Sequence, residues 1–183
     1  MKKILVVVDI QNDFITGELP ASGGIEIIPR IVDKIKNGNY SKIYFTKDVH
    51  HDWIYKDTLE GQVIPPHCFA GTEGSNIIPQ ISELNMPVEK CEVISKDTFG
   101  SSFLSNRILS YVTNEIANEE DYSIEICGVC TDICVVSNAL ILREFFPSIP
   151  IIVDSSCCAG TTIDAHKAAL TVMRSCLIEV IDS

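Results

Sequence analysis

The stretch SIEICGVCTDICVVSNAL, residues 123–140, decides the reading of the fold. Its first part, Ser123 to Cys127, is a short run rich in β-branched residues. Gly128 opens a brief turn, and from Ile133 onward Val135, Val136, Ala139, Leu140 and Leu142 recur at helical spacing. A strand that passes through a glycine turn into an amphipathic helix is the βα unit of a parallel sheet. Cys134 then stands at the start of a helix running Ile133 to Phe146. There the macrodipole and unpaired backbone N–H groups favour a thiolate and can hold an oxyanion.

The same alternation extends in both directions. Strand candidates are Lys3 to Asp9, Lys42 to Thr46, Cys91 to Ser95, Ser123 to Cys127, Pro150 to Asp154 and Leu177 to Ile181. Most are continuous apolar runs, as expected of strands covered on both faces. Helix candidates are Ile25 to Lys36, Ser102 to Asn118, Ile133 to Phe146 and Ala165 to Cys176. Right-handed crossovers between them predict an α/β fold, with a single doubly wound, mostly parallel sheet of about six strands and helices on both faces. No repeat or Pro/Gly/Ser linker divides the chain, so residues 1–183 are expected to form one domain.

Bulk properties narrow the function. A net charge of −11, from 14 basic and 25 acidic residues, excludes the basic face that a nucleic-acid partner requires. No apolar run approaches the ~20 residues that cross a bilayer, and the start MKKILVVVD is broken by Asp9, so it reads as a strand and not as a signal peptide. A cytoplasmic protein is expected, without a membrane partner and with a homo-oligomer left open. Eight cysteines in such a chain read as reduced thiols, mostly packed as small hydrophobes. Cys157 and Cys158 have no derivable role.

Ligands of open α/β sheets bind beyond the carboxyl ends of the strands. Four such ends carry Asp9, Asp48, Lys96 and Cys134. A histidine base for Cys134 is poorly supported, because three of the four histidines lie in the irregular stretch Asp48–Pro87 and His166 falls beside Lys167 on an expected solvated helix face. A carboxylate can instead take the thiol proton while an ammonium stabilises both anions, which brings Asp9 and Lys96 forward. A redox pair of Cys130 and Cys134 lacks the usual C-x-x-C spacing.

The segments VVVDIQNDF (6–14), ISKDTFGSSF (94–103) and GVCTDICVVSNAL (128–140) resemble, in order, the three motifs of the isochorismatase-like cysteine hydrolases. The resemblance covers nearly the whole chain. It implies Asp9 as general base, Lys96 as its cationic partner and Cys134 as nucleophile. It further implies a cis peptide between Val129 and Cys130, which aims the N–H groups of Cys130 and Cys134 at an oxyanion. Phe14, Phe99 and Val129 match positions lining the substrate pocket.

The irregular stretch adds a second chemistry. Asp48 and His50 share one side of an extended strand end, and Glu60 and His67 follow in the same loop system. Mixed carboxylate and imidazole donors suit a divalent ion, zinc first, with iron and manganese as alternatives. His51 should point away from His50, and Asp57 ranks with it below the four. The order D-x-H…E…P-H-C-x-x-G-T resembles the metal site of the nicotinamidase branch of this family. That resemblance implies hydrolysis of nicotinamide, its pyridine nitrogen on the metal and its carboxamide near the thiol. Another small-amide hydrolase of the family, or a thiol redox or binding protein, is the alternative. Many members of that branch carry Trp where this chain has Ile64.

Overall fold

The computed structural model describes residues 1–115 and 121–182. Among them, six strands form one sheet: β1 (Lys2–Val8), β2 (Lys42–Asp48), β3 (Cys91–Lys96), β4 (Tyr122–Val129), β5 (Ile151–Ala159) and β6 (Glu179–Ile181). Their order is β3-β2-β1-β4-β5-β6, and every pairing is parallel. The helices are α1 (Asn12–Ile15), α2 (Gly24–Asn37), α3 (Asp52–Tyr55), α4 (Pro79–Ser82), α5 (Ser102–Glu115), α6 (Val136–Phe145) and α7 (Ile163–Ser175). Residues 116–118 of the expected second helix lie outside the described residues.

Register shows how the sheet is covered. Leu5 pairs with Ile43 on one side and Glu125 on the other, so these three side chains share a face. On that face Lys34 of α2 forms ion pairs with Glu125 and with Asp154, the latter at 2.6 Å. Val6, Tyr44 and Ile126 share the opposite face, where the Tyr44 hydroxyl donates to the Arg107 carbonyl of α5 at 3.4 Å. α5 packs on α6 and α6 on α7, completing that layer. With helices on both sides, Ile4 to Val8 of β1 are at most 1% exposed and all of β4 is buried. Full burial of each such aliphatic side chain contributes roughly 1.5–3 kcal/mol.

The chain changes direction of growth between β1 and β4, which puts the crevice of a doubly wound sheet at their carboxyl ends. Gly128 is required there. Its φ is +126°, and a Cβ would fall 2.1 Å from the Val8 carbonyl oxygen, so a side chain would force the two central strands apart.

Most element limits shift by a few residues from the sequence reading, and three of the shifts have a clear physical cause. β5 continues past Asp154 to Ala159, because after a register irregularity between Ile126 and Gly128 it resumes pairing at Cys158 and Ala159. Cys157 and Cys158 therefore belong to the strand and are buried, and all eight cysteines are free thiols. β6 begins at Glu179, since Leu177 adopts a φ of +61° that breaks extended pairing. α7 starts at Ile163, where the Thr162 hydroxyl caps it by accepting from the Ala165 N–H at 3.1 Å.

Candidate active site

Asp9 follows β1 in a left-handed conformation (φ +50°) that aspartate tolerates better than a branched residue would. Its N–H bonds to the Thr46 carbonyl at 3.2 Å, and the Thr46 hydroxyl donates to Asp9 Oδ1 at 2.6 Å. Lys96 ends β3, and its Nζ stands 2.6 Å from Asp9 Oδ2 and 3.6 Å from Cys134 Sγ. Cys134 lies in a π-helical turn, Thr131–Val135, closed by the Val135 N–H on the Cys130 carbonyl at 3.0 Å and continuing into α6. The peptide between Val129 and Cys130 is cis. Carboxylate, ammonium and thiol thus come from three strand ends and are all buried, Asp9 completely.

Burial dominates their electrostatics. It pushes the Cys134 thiol well above the ordinary range, and the Asp9 carboxylate beside it adds to the rise while Lys96 opposes it. Burial thus works against the lowering expected from the helix start, since Cys134 is only 5% exposed. Burial also raises Asp9, with Lys96 working against it. Desolvation disfavours the Lys96 ammonium, but Asp9, Cys134 and Asp48 more than offset this, and its pKa is raised. Burial pushes the Cys130 thiol up to about 12, unlike the low-pKa thiol of a redox pair.

Beside this trio, Asp48 Oδ2 lies 3.0 Å from His50 Nε2 and 3.2 Å from His67 Nε2, and Glu60 Oε1 lies 3.5 Å from each. One donor atom from each of the four residues falls within 4.8 Å of all the others. His67 Nδ1 sits 2.8 Å from the Pro65 carbonyl, a contact that ties the ring from behind and turns Nε2 toward the cluster. Burial opposes an Asp48 carboxylate, yet hydrogen bonds from His50 and His67 and the charge of Lys96 hold it well below the usual range. Burial lowers His50, but Asp48 and Glu60 outweigh it and bring its pKa to about 9. Two imidazoles and two carboxylates converging in a buried niche, one imidazole tied off from behind, fit a divalent cation.

Both groups open onto one cavity of about 370 Å³, whose lining includes Asp48, Glu60, His67, Cys130 and Cys134. Phe14, Leu19, Ile64, Phe99 and Ile133 supply apolar walls. Phe14 and Phe99, which match pocket positions by resemblance, both line this cavity. Val129 does not: as the last residue of β4 it is fully buried in the core and is not among the lining residues. His51 and Asp57 are exposed and outside the ligand cluster. His166 is half-buried and not on a solvated face, because its Nδ1 is hydrogen-bonded to the Thr131 hydroxyl at 2.8 Å.

Several supporting residues escape a sequence reading. Gln11 accepts from the Asp48 N–H at 2.7 Å and donates to the Asp48 and Ser75 carbonyls at 2.7 and 2.9 Å, locking the end of β2 to the loop. Thr46 orients Asp9, and the Tyr55 hydroxyl reaches His67 Nδ1 at 3.2 Å. Gln11 lies inside the first motif segment, a signal that could have identified it. Tyr55 had no such signal.

Residues 3–183 match the family model described as Isochorismatase domain. The chain is 27% identical over 203 residues to a nicotinamidase/pyrazinamidase of Mycobacterium tuberculosis, covering 99% of each. It superposes on the pyrazinamidase of Pyrococcus horikoshii in complex with zinc with a TM-score of 0.79 at 24% identity, covering 100% of both chains. With PnC1 of L. infantum in complex with nicotinate the TM-score is 0.81 at 18% identity, covering 99% of this chain and 92% of the other. The chain belongs to the isochorismatase-domain family.

Proposed function

We propose that this chain is a nicotinamidase, hydrolysing nicotinamide and close aromatic carboxamides such as pyrazinamide to the acid and ammonia. The observation that carries the reading is the shared cavity: the Cys134 thiol and, from the ligand cluster, Asp48, Glu60 and His67 line one space of about 370 Å³, large enough for a small ring compound. Nicotinamide offers a carboxamide to the first and a ring nitrogen to the second. Relatives named nicotinamidase support the same assignment.

Asp48, His50, Glu60 and His67 would hold a divalent ion, with zinc the first choice over iron and manganese; when bound, it supplies a Lewis-acid site for the pyridine nitrogen. The covalent steps belong to the buried trio. Asp9 takes the Cys134 proton as the sulfur attacks the carboxamide carbon, and Lys96 stabilises the anion formed on either group. A C–S bond forms, and the backbone N–H groups of Cys130 and Cys134 hold the oxyanion. Asp9 then passes its proton to the amide nitrogen, the C–N bond breaks and ammonia leaves a thioester. A water molecule gives a proton to Asp9 and attacks this thioester. The C–S bond breaks, Asp9 returns its proton to Cys134, and nicotinic acid leaves and gives its carboxyl proton to solvent to become nicotinate. Phe14 and Ile64 flank the ring and keep bulk water from the thioester.

Ammonia release from nicotinamide by zinc-loaded protein tests the assignment, with benzamide, which lacks the ring nitrogen, expected to turn over more slowly. Failure to release ammonia from nicotinamide would sink it. A second reading, the same chemistry on another small amide, is favoured by the aliphatic wall that Ile64 presents.

A further inference from the structure

The turn that carries Cys130 and Cys134 is fastened from behind by the junction of β5 and α7. Thr131, completely buried between the two cysteines, shares a 2.8 Å hydrogen bond with His166 Nδ1 on the first turns of α7. The next residue, Asp132, accepts from the Thr161 N–H at 2.8 Å and from the Thr161 hydroxyl at 2.6 Å. Gly160 closes the junction. A Cβ there would stand 2.7 Å from Asp132 Oδ1 and 2.9 Å from His166 Cβ, so the two segments meet without slack. Thr161 also lines the cavity, whereas His166 does not.

We propose that His166 is a positioning residue for the reaction: through Thr131 it fixes the direction of the backbone N–H groups that receive the oxyanion. The inference rests on Cys134 as the nucleophile. Thr131 directly follows Cys130 and opens the π-helical turn that carries Cys134, so anchoring its side chain holds the stretch of backbone that links the two N–H donors. Donors that stabilise an oxyanion act through placement. A displacement of a fraction of an ångström weakens the bond to the tetrahedral state more than it weakens binding of the planar amide. The bond to Thr131 is the one side-chain hydrogen bond that His166 makes among the described residues. The Asp132–Thr161 bonds hold the same turn independently and keep it folded when His166 is replaced.

The test compares wild-type protein with His166→Ala and His166→Asn, whose side-chain amide reaches the position of Nδ1. Two probes separate the states: nicotinate, which binds without forming an oxyanion, and pyridine-3-carbaldehyde, whose carbon accepts the Cys134 sulfur and whose oxygen becomes an oxyanion. In His166→Ala, kcat is expected to fall about tenfold or more with KM within about twofold of wild type. Aldehyde affinity falls in the same proportion, nicotinate affinity and melting temperature stay near wild type, and His166→Asn recovers most of kcat. Wild-type kcat in His166→Ala overturns the proposal, as does an equal loss of affinity for both probes. If wild-type protein binds the aldehyde no better than Cys134→Ala does, the nucleophile assignment itself is wrong and this inference falls with it.

Discussion

Asp48 Oδ1 lies 3.6 Å from Lys96 Nζ, while the other oxygen of the same carboxylate faces His50 and His67. One side chain thus joins the reacting trio to the ligand cluster, and the Lys96 ammonium is shared between Asp48 and Asp9. Removing the ammonium leaves Asp9 a buried carboxylate with the Thr46 hydroxyl but no cation beside it. Lys96→Met is therefore expected to destabilise the fold by about 3–5 kcal/mol, to leave Asp9 protonated and to lower kcat at least about a hundredfold. Chemical denaturation together with a nicotinamide assay measures both effects.

In metal-free protein, the pKa of His50 near 9 has a direct consequence for metal uptake. A metal ion needs the neutral imidazole, so binding between pH 7 and 8.5 should displace about one proton, and affinity should rise with pH over that window. Calorimetric titration with zinc in two buffers of different ionisation enthalpy reads the proton count directly. The sign for stability is opposite. A raised histidine pKa stabilises the metal-free fold fully below the ordinary value near 6.5, and this contribution is lost as pH rises through about 9. Metal-free protein should melt lower at pH 9.5 than at pH 6 on this account.

Gly128→Ala places a methyl group against the Val8 carbonyl at a φ of +126°. The expected cost is about 3 kcal/mol or more, visible as loss of soluble protein or a markedly lower melting temperature. Gly23→Ala serves as the comparison: its φ is also positive, at +83°, but nothing lies within 4 Å of the added carbon, so it should be milder.

Ile64 gives the cavity an aliphatic wall where a planar side chain could stack on an aromatic ring. Ile64→Trp is expected to lower KM for nicotinamide a few-fold, equivalent to about 1 kcal/mol, with little change for an aliphatic amide. Steady-state kinetics on the two substrates decides it.

The doubly wound sheet was legible because its strands are continuous apolar runs separated by amphipathic helices, and a pattern of that kind admits few topologies. Asp9, Lys96 and Cys134 were legible because strand ends are where such folds place ligands. Asp48, His50, Glu60 and His67 were visible as donor types in one loop, but their convergence within 4.8 Å is supported by Gln11, whose bond to Asp48 crosses 37 residues, and by the Tyr55 hydroxyl against His67, neither of which a residue pattern shows. For Cys134, position at a helix start is a local property that favours the thiolate, whereas burial, which pushes the thiol up, is set by the whole fold. For the same reason His166 read as a surface residue: its neighbour Lys167 is exposed, and its bond to Thr131 crosses 35 residues.

The central claim is that Cys134 becomes acylated. The most direct measurement is the mass of the protein quenched in acid during turnover of nicotinamide, with the modified peptide mapped. The predicted result is a nicotinoyl adduct on Cys134 that is absent in Cys134→Ala, together with at least about a thousandfold loss of ammonia release in that variant. Ammonia release at the wild-type rate by Cys134→Ala, with no acylated cysteine in the wild-type protein, would contradict it.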